Sequence, residues 1–512
     1  MPGEFRGDVT RDTANPAKSF LRVLMQAGRV QLDADWNEQV DILLRYLQGL
    51  GQDLIGFHGG RGEGFQLQSI NGNADDVAIA PGRYYVDGIP AEQVARLDAD
   101  GNLQPWTYTT QPYYHISEAE TLAELQRNHP NNTPNNPNHP LLAYLDLWER
   151  HISFVEDEDP AIPGIREVGL GGPDTATRSQ VVWQVKVIPA GAITDRFEDG
   201  TDRRDSPFEA PPPDAAPLNV QLRYLTRDSF HAYLQAGGVE LKPGTGRLRA
   251  QVVDKGDDTD PCRLSPKSKY RGLENRLYRV EILSHTAEAA QFAWSRHNSS
   301  VMFPILQADA GDDVLTLLVE HLGQDARYSL TEGDWVELVS DRWVLNDAPR
   351  FLLPVEAIDP DERSVTLRRQ TDTPEFEINT FNDATQHPYL RRWESPGTAP
   401  VSFSATVNDG WLPLEDGVEV QFVDANQVDD ANQPVQPYQT GDYWLIPART
   451  ATGDIEWPQA IGTESPQPLP PRGITHYYAP LGLLSVFVND NTVEVEDCRR
   501  LLPHLWTYPA SP

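Results

Sequence analysis

The stretch VQLDADWNEQVDILLRYLQGLGQDLI, residues 30–55, places Trp36, Val40, Leu43, Leu47, Leu50 and Leu54 at alternating spacings of four and three. That alternation lays one apolar stripe along a helix, which is what packing against a partner surface requires. Asp35, with Glu38 three residues on, has the pattern of a capping box and predicts the helix start. Gly49 and Gly51 weaken its far end, each by roughly 1 kcal/mol relative to alanine. The six stripe residues are therefore expected to form an assembly interface. The alternative is an amphipathic helix docked on its own β domain.

Outside this helix, and a shorter helical piece at residues 116–127, the chain reads as strands. In IAPGRYYVDGIPAEQ (79–93), Pro81-Gly82 and Asp87-Gly88 flank a Tyr/Val run, predicting two short hairpins. LLAYLDLWERHISFV (141–155) and SQVVWQVKVIP (179–189) alternate with period two and are expected to pair in one sheet. LGGPDTATR (170–178) between them reads as a tight turn, because the glycines accept positive φ and the next residues bond nearby amides. A phosphate cradle would normally open a helix, and a strand follows here. GRLRAQVVD, RLYRVEIL, AQFAWSR, DVLTLLVEHL, GDWVELVSD, FLLPVEAID and RSVTLRRQ, then GVEVQFVD, GDYWLIPAR and LGLLSVFV, continue the strand pattern. The expected fold is mainly β, with several sandwich or barrel units and an N-terminal helical assembly element.

Proline-rich breaks suggest the divisions. Residues 1–57 form an arm and helix, and 58–204 a first β domain with an Asn/Pro loop at 128–140. Residues 205–218 are a linker, 219–394 a second β domain and 395–512 a third.

Charge narrows the function. With 76 Asp plus Glu against 42 Lys plus Arg, the formal charge of −34 disfavours nucleic acid and anionic membranes as partners. No run approaches the ~20 apolar residues of a membrane span. The N-terminus lacks a signal-peptide core, so the expected location is the cytoplasm, with release only by lysis or within a particle. Cys262 and Cys498 are too few and too far apart for a disulfide framework and are expected to be free thiols. Against the acidic trend stands a basic island of Arg263, Lys267, Lys269, Arg271, Arg276 and Arg279, a candidate contact for an acidic copy or subunit; the alternative, which ranks above it, is that these residues balance acids elsewhere in the same chain.

No nucleophile elbow, zinc motif or phosphate-binding loop is present. Glu149, Arg150 and His151 are adjacent on a strand and point to opposite faces, so they do not converge. His297 reads as a loop residue beside Trp294. The acidic groups Asp98, Asp100 and Asn102, then Asp257, Asp258 and Asp260, then Asp309, Asp312 and Asp313 each fall short of a calcium loop. Trp148, Trp183, Trp294, Trp335, Trp393 and Trp444 read as core fillers, with a sugar-binding platform as the alternative. The expectation is a non-enzyme with no cofactor, metal or catalytic residue.

FRGDVTRDT, VLMQAGRVQLDADWNEQ, YLDLWERHISFVEDEDPAI, REVGLGGPDTATR, YRGLENRLYRVEI, FAWSRHNSSVMFPI, GDYWLIPARTATGDIEWP and HYYAPLGLLSV together resemble an uncharacterised family of bacterial proteins that accompany phage-tail-like contractile injection systems. YYVDGIPAE is similar to strand-turn units near the N-termini of phage tail-fibre and baseplate proteins. The resemblance implies a structural or accessory part of such a particle, in the baseplate, a fibre or a decorating layer, whose partners are copies of itself or other particle subunits. It carries no catalytic residues. The alternative is a glycan- or receptor-binding module of the particle; a glycan hydrolase or carried cargo ranks below both.

Overall fold

The protein is described by a computed structural model covering residues 5–97, 101–132, 139–157, 164–191, 217–239, 241, 244–253, 270–285, 289–311, 313–325, 327–370, 373, 376–394, 401–404, 411–423, 438–460, 462 and 465–502. The fold is mainly β, built from antiparallel sheets and one closed barrel, with the predicted N-terminal helix present as α1 (Asp33–Ile55). Two compact units form, each from three separate stretches of chain.

The first, here the barrel unit, takes Met1–Val40, Arg150–Gln180 and Lys242–Ile474. Its barrel closes through the strands Met302–Ala310, Val314–Val319, Ser364–Arg368, Leu352–Asp359, Trp335–Val339 and Tyr389–Trp393. Closure leaves no open sheet edge. Phe303, Leu315, Leu317, Val336, Leu353, Val365, Leu367 and Leu390 belong to its core. A five-stranded sheet centred on Arg276–His285 and a three-stranded sheet centred on Val418–Val423 share a second core of Val280, Phe292, Trp294, Val420, Phe422 and Trp444. Along Val418–Val423 buried and half-buried residues alternate, as period two demands.

The second unit takes Asp41–Glu149, Val181–Leu241 and Thr475–Pro512. Arg178–Pro189 and Leu141–Ile152 are neighbours in one sheet, as expected, continued by Tyr477–Phe487 and Thr492–Asp497. Two helices, Leu218–Arg223 and Arg227–Ala236, contribute Leu222, Phe230 and Leu234 to a core shared with Leu142, Tyr144, Tyr478 and Leu483.

Three expectations change. The segments 58–204, 219–394 and 395–512 do not close separately, because strands find their partners across those limits: Tyr477–Phe487 pairs with Leu141–Ile152, and Tyr443–Arg449 with Arg276–His285. Segment 1–57 is likewise divided between the units, and position 218, taken as linker, starts a helix; residues 205–216 lie outside the described ones. Of the two hairpins, only Gly82–Val86 with Ile89–Gln93 forms, over Asp87 and Gly88 at φ 49° and 78°. Positive φ at both turn positions matches the twist of the flanking strands. Val77–Ile79 pairs instead with Leu67–Ser69, since Pro81 offers no amide to close a ladder at its own turn.

Candidate functional site

α1 begins at Asp33, two residues before the predicted cap. The Leu32 carbonyl accepts from the amides of Asp35 (3.2 Å) and Trp36 (3.4 Å). The Asp35–Glu38 box is replaced by bonds to the N-terminal arm. Asp33 accepts from the Thr10 amide at 2.7 Å and the Thr10 hydroxyl at 2.5 Å, and Glu38 accepts from the Thr13 hydroxyl at 2.6 Å. The acids of the first turn thus tie the helix to the arm, where their charge also suits the helix N-terminus.

The side of α1 turned to its own chain is not the heptad stripe. Ala34 and Ile42 are buried. Farther along, a β-carbon on Gly51 would come within 2.9 Å of the Gly88 Cα, and one on Gly88 within 2.2 Å of the Gln48 carbonyl oxygen. The glycine that weakens the helix therefore lets its backbone lie directly on the hairpin turn. The stripe faces outward: Trp36 is 74 % exposed, Leu47 64 % and Val40, the least, 41 %, with Leu43, Leu50 and Leu54 between these limits. Leu44 and Tyr46 beside it are also exposed, as are Phe20, Leu21, Leu24, Met25 and Val30 in the arm. Sequence reasoning overlooked this arm. Its signal was an apolar run, FLRVLM, belonging to no strand or helix.

The rest of the arm is locked into the barrel unit. Arg6 makes a bidentate pair with Glu281 at 2.7 and 2.9 Å and also donates to the Ser299 hydroxyl at 2.9 Å. The Phe5 carbonyl accepts from Arg279 (2.9 Å) and Asn298 (3.1 Å), and Asn298 also donates to the Gly7 carbonyl at 3.0 Å. Arg449 donates to the Thr10 carbonyl at 2.9 Å, and Arg472 pairs with Asp12. Glu281 is fully buried, contacted by Arg6, Arg279 and Arg350. Burial alone would raise its pKa, but Arg279, Arg6 and Arg350 outweigh this and hold the carboxyl well below the usual range.

A cavity of about 580 Å³ in the same unit has Arg276, Arg296, Arg327 and Arg392 in its wall, each engaged by a carboxylate of that wall. Arg276 and Arg296 bind Glu415, Arg327 binds Glu274 and Arg392 binds Glu394. Burial and the charges of Arg327, Arg392, Arg276 and Arg296 push His297 down to about 3, so it is neutral at pH 7 and a weak base.

With this geometry in view, a family model described as "Family of unknown function (DUF6519)" matches residues 5–242 and 239–505. The chain belongs to that family. No curated protein and no solved structure matches it.

In this member of the DUF6519 family two residues of the basic island, Arg276 and Arg279, are engaged within the barrel unit. Arg279 is buried against Glu281 with its guanidinium 3.6 Å from the centre of the Tyr443 ring, and Arg276 is held by Glu415 and Asp416. Both charges are paired with carboxylates inside the barrel unit. Arg271 is exposed, and Arg263, Lys267 and Lys269 lie outside the described residues. Arg150 pairs with Asp341, which also takes His387 at 2.8 Å, while His151 meets Phe5 edge-on, so Arg150 and His151 turn to different partners. Trp148, Trp183, Trp294, Trp335, Trp393 and Trp444 are all buried, as core fillers are. In LGGPDTATR, Gly171 and Gly172 adopt φ 93° and 89°, and the Gly172 amide donates to the Glu167 carbonyl at 3.0 Å. Cys498 is a buried free thiol; Cys262 lies outside the described residues, with Asp98, Asp100, Asp257, Asp258, Asp260 and Asp312. Among the described residues no group of three or more His, Cys, Asp or Glu is placed to hold a metal ion, and no helix is long and apolar enough to cross a membrane.

Proposed function

We propose that this protein is a structural subunit that enters a larger assembly through the outward face of α1. One observation carries the reading: α1 rests on its own chain by Ala34, Ile42 and Gly51 and leaves Trp36, Val40, Leu43, Leu47, Leu50 and Leu54 in solvent. An apolar stripe of this length, continued by the arm from Phe20 to Val30, is more than scattered surface hydrophobics and has the character of an interaction surface. The locked arm fixes the start of the helix, so the stripe is presented ready-made and little conformational freedom is lost on binding. The resemblance to proteins that accompany contractile injection systems supplies the setting: a baseplate, fibre or decorating component, made in the cytoplasm and carried out with the particle. No catalysis is needed for that role. The burial of Trp148, Trp183, Trp335 and Trp444 favours it over glycan binding at those rings, which needs open aromatic faces, while Trp294 and Trp393 stand in the cavity wall.

The test is recovery of the protein from its native cells with whatever travels with it, comparing the natural chain with a Leu43→Asp, Leu47→Asp variant. The natural chain is expected in a large complex and the variant outside it. Equal incorporation of both would refute the role of α1.

A further inference from the structure

We infer that the surface covering the α1 stripe is the α1 of a second copy of this chain, running antiparallel across a two-fold axis that passes between Leu43 and Leu47. The inference rests on the assembly reading and names its partner. The first support is the symmetry of the row. Trp36 and Leu54, Val40 and Leu50, and Leu43 and Leu47 are each equidistant from position 45. A two-fold axis there sets every stripe residue of one copy over its counterpart in the other, which is the self-complementary condition of a closed dimer.

Charge is the second support. Two chains of −34 repel at long range, and a touching surface that is itself nearly uncharged adds least to that repulsion. The stripe positions carry no charge, and the positions flanking them are Asn37, Gln39, Leu44, Tyr46, Gly51 and Asp53. Antiparallel alignment sets Leu44 by its own copy, Tyr46 by its own copy, and Gln39 by Asp53, with no like charges opposed. Parallel alignment would bring the two first turns, with Asp33 and Asp35 in each, side by side and align the two helix dipoles. A basic partner would find on this stripe little to attract it, whereas an apolar, self-matching helix is present in every copy.

The test uses the full chain with Cys262→Ser. Sedimentation is expected to give twice the 57.3 kDa chain mass, with the dimer fraction rising as NaCl screens the repulsion between acidic copies. Under mild oxidation Tyr46→Cys should link two copies. Trp36→Cys alone should not, but mixed with Leu54→Cys it should. Circular dichroism of each variant confirms folding. Linkage by Trp36→Cys alone would overturn the antiparallel pairing, and a dimer that survives Leu43→Asp with Leu47→Asp would overturn the use of this stripe. A single-chain mass at every concentration, with no linkage, would overturn self-pairing. If the double variant is then still lost from the native complex, the assembly reading stands with another subunit as partner. If it is retained, both readings fall.

Discussion

Glu281 and Trp36 reverse the usual placement of charge and hydrocarbon. Glu281, a carboxylate, has no exposed surface and is gripped by Arg6, Arg279 and Arg350. Trp36, the largest apolar side chain of α1, lies mostly in solvent. The two extremes have different explanations. A buried charge is tolerable when its partners are inside with it, and here they are all supplied by the barrel unit. An exposed apolar stripe has no such internal resolution, because the side of the helix that could have carried the stripe inward is taken by Ala34, Ile42 and a glycine contact. Glu281 is answered within its own unit; the outer face of α1 is not covered by its own chain.

The largest effect should come from breaking the interior. Glu281→Ala leaves three arginines without their shared counter-charge and should destabilise the barrel unit by about 3–5 kcal/mol, read as a lower urea midpoint. The stripe should behave oppositely. Leu43→Asp with Leu47→Asp should weaken association by about 2–4 kcal/mol, roughly 30- to 1000-fold in dissociation constant. At dilutions where copies are apart, the single chain should keep its urea midpoint, with a change within about 0.5 kcal/mol, as for other surface substitutions.

Acid should also act on the interior first. Burial, then the charges of Arg500 and Arg223, push His58 down to about 3 from its ordinary 6.5. Between those values the unfolded chain binds a proton that the folded chain does not. Stability tied to His58 is therefore full above about pH 6.5 and falls as the pH drops toward 3, by at most about 1.4 kcal/mol per pH unit. Melting temperature followed against pH should show a shallower acid slope in His58→Gln than in the natural chain. An unchanged slope would remove His58 from the account.

The smallest effects separate the two sides of α1 itself. Gly51→Ala should cost about 1–3 kcal/mol, since its methyl group meets the Gly88 backbone. Gly49 faces open space, so Gly49→Ala should raise the melting temperature, stabilising by up to about 1 kcal/mol. Similar destabilisation by both would mean that the helix lies differently on its unit.

Much of the β architecture was legible because period-two patterning is a local signal. Val418–Val423, Tyr443–Arg449 and the paired strands after Leu141 and Arg178 were all found this way. The helices Leu218–Arg223 and Arg227–Ala236 were missed beside a proline-dense stretch, although Thr226 caps the second by accepting from the Ser229 amide. What no local pattern could give was pairing across hundreds of positions. Arg6 reads as part of a polar arm until Glu281 is found against it, and Tyr477–Phe487 reads as part of a separate C-terminal domain until Leu141–Ile152 is found beside it. The stripe of α1 was fully legible; its direction was not, since the heptad rule specifies an apolar face without saying whose surface covers it.

The most direct measurement of the central claim is the rate at which a maleimide labels Leu47→Cys, on the Cys262→Ser background, in the native complex and in the isolated chain. Fast labelling is expected of the chain diluted until copies are apart, and strong protection in the complex. Equally fast labelling in both would show that the face of α1 stays in solvent while the protein works, contradicting its role in assembly.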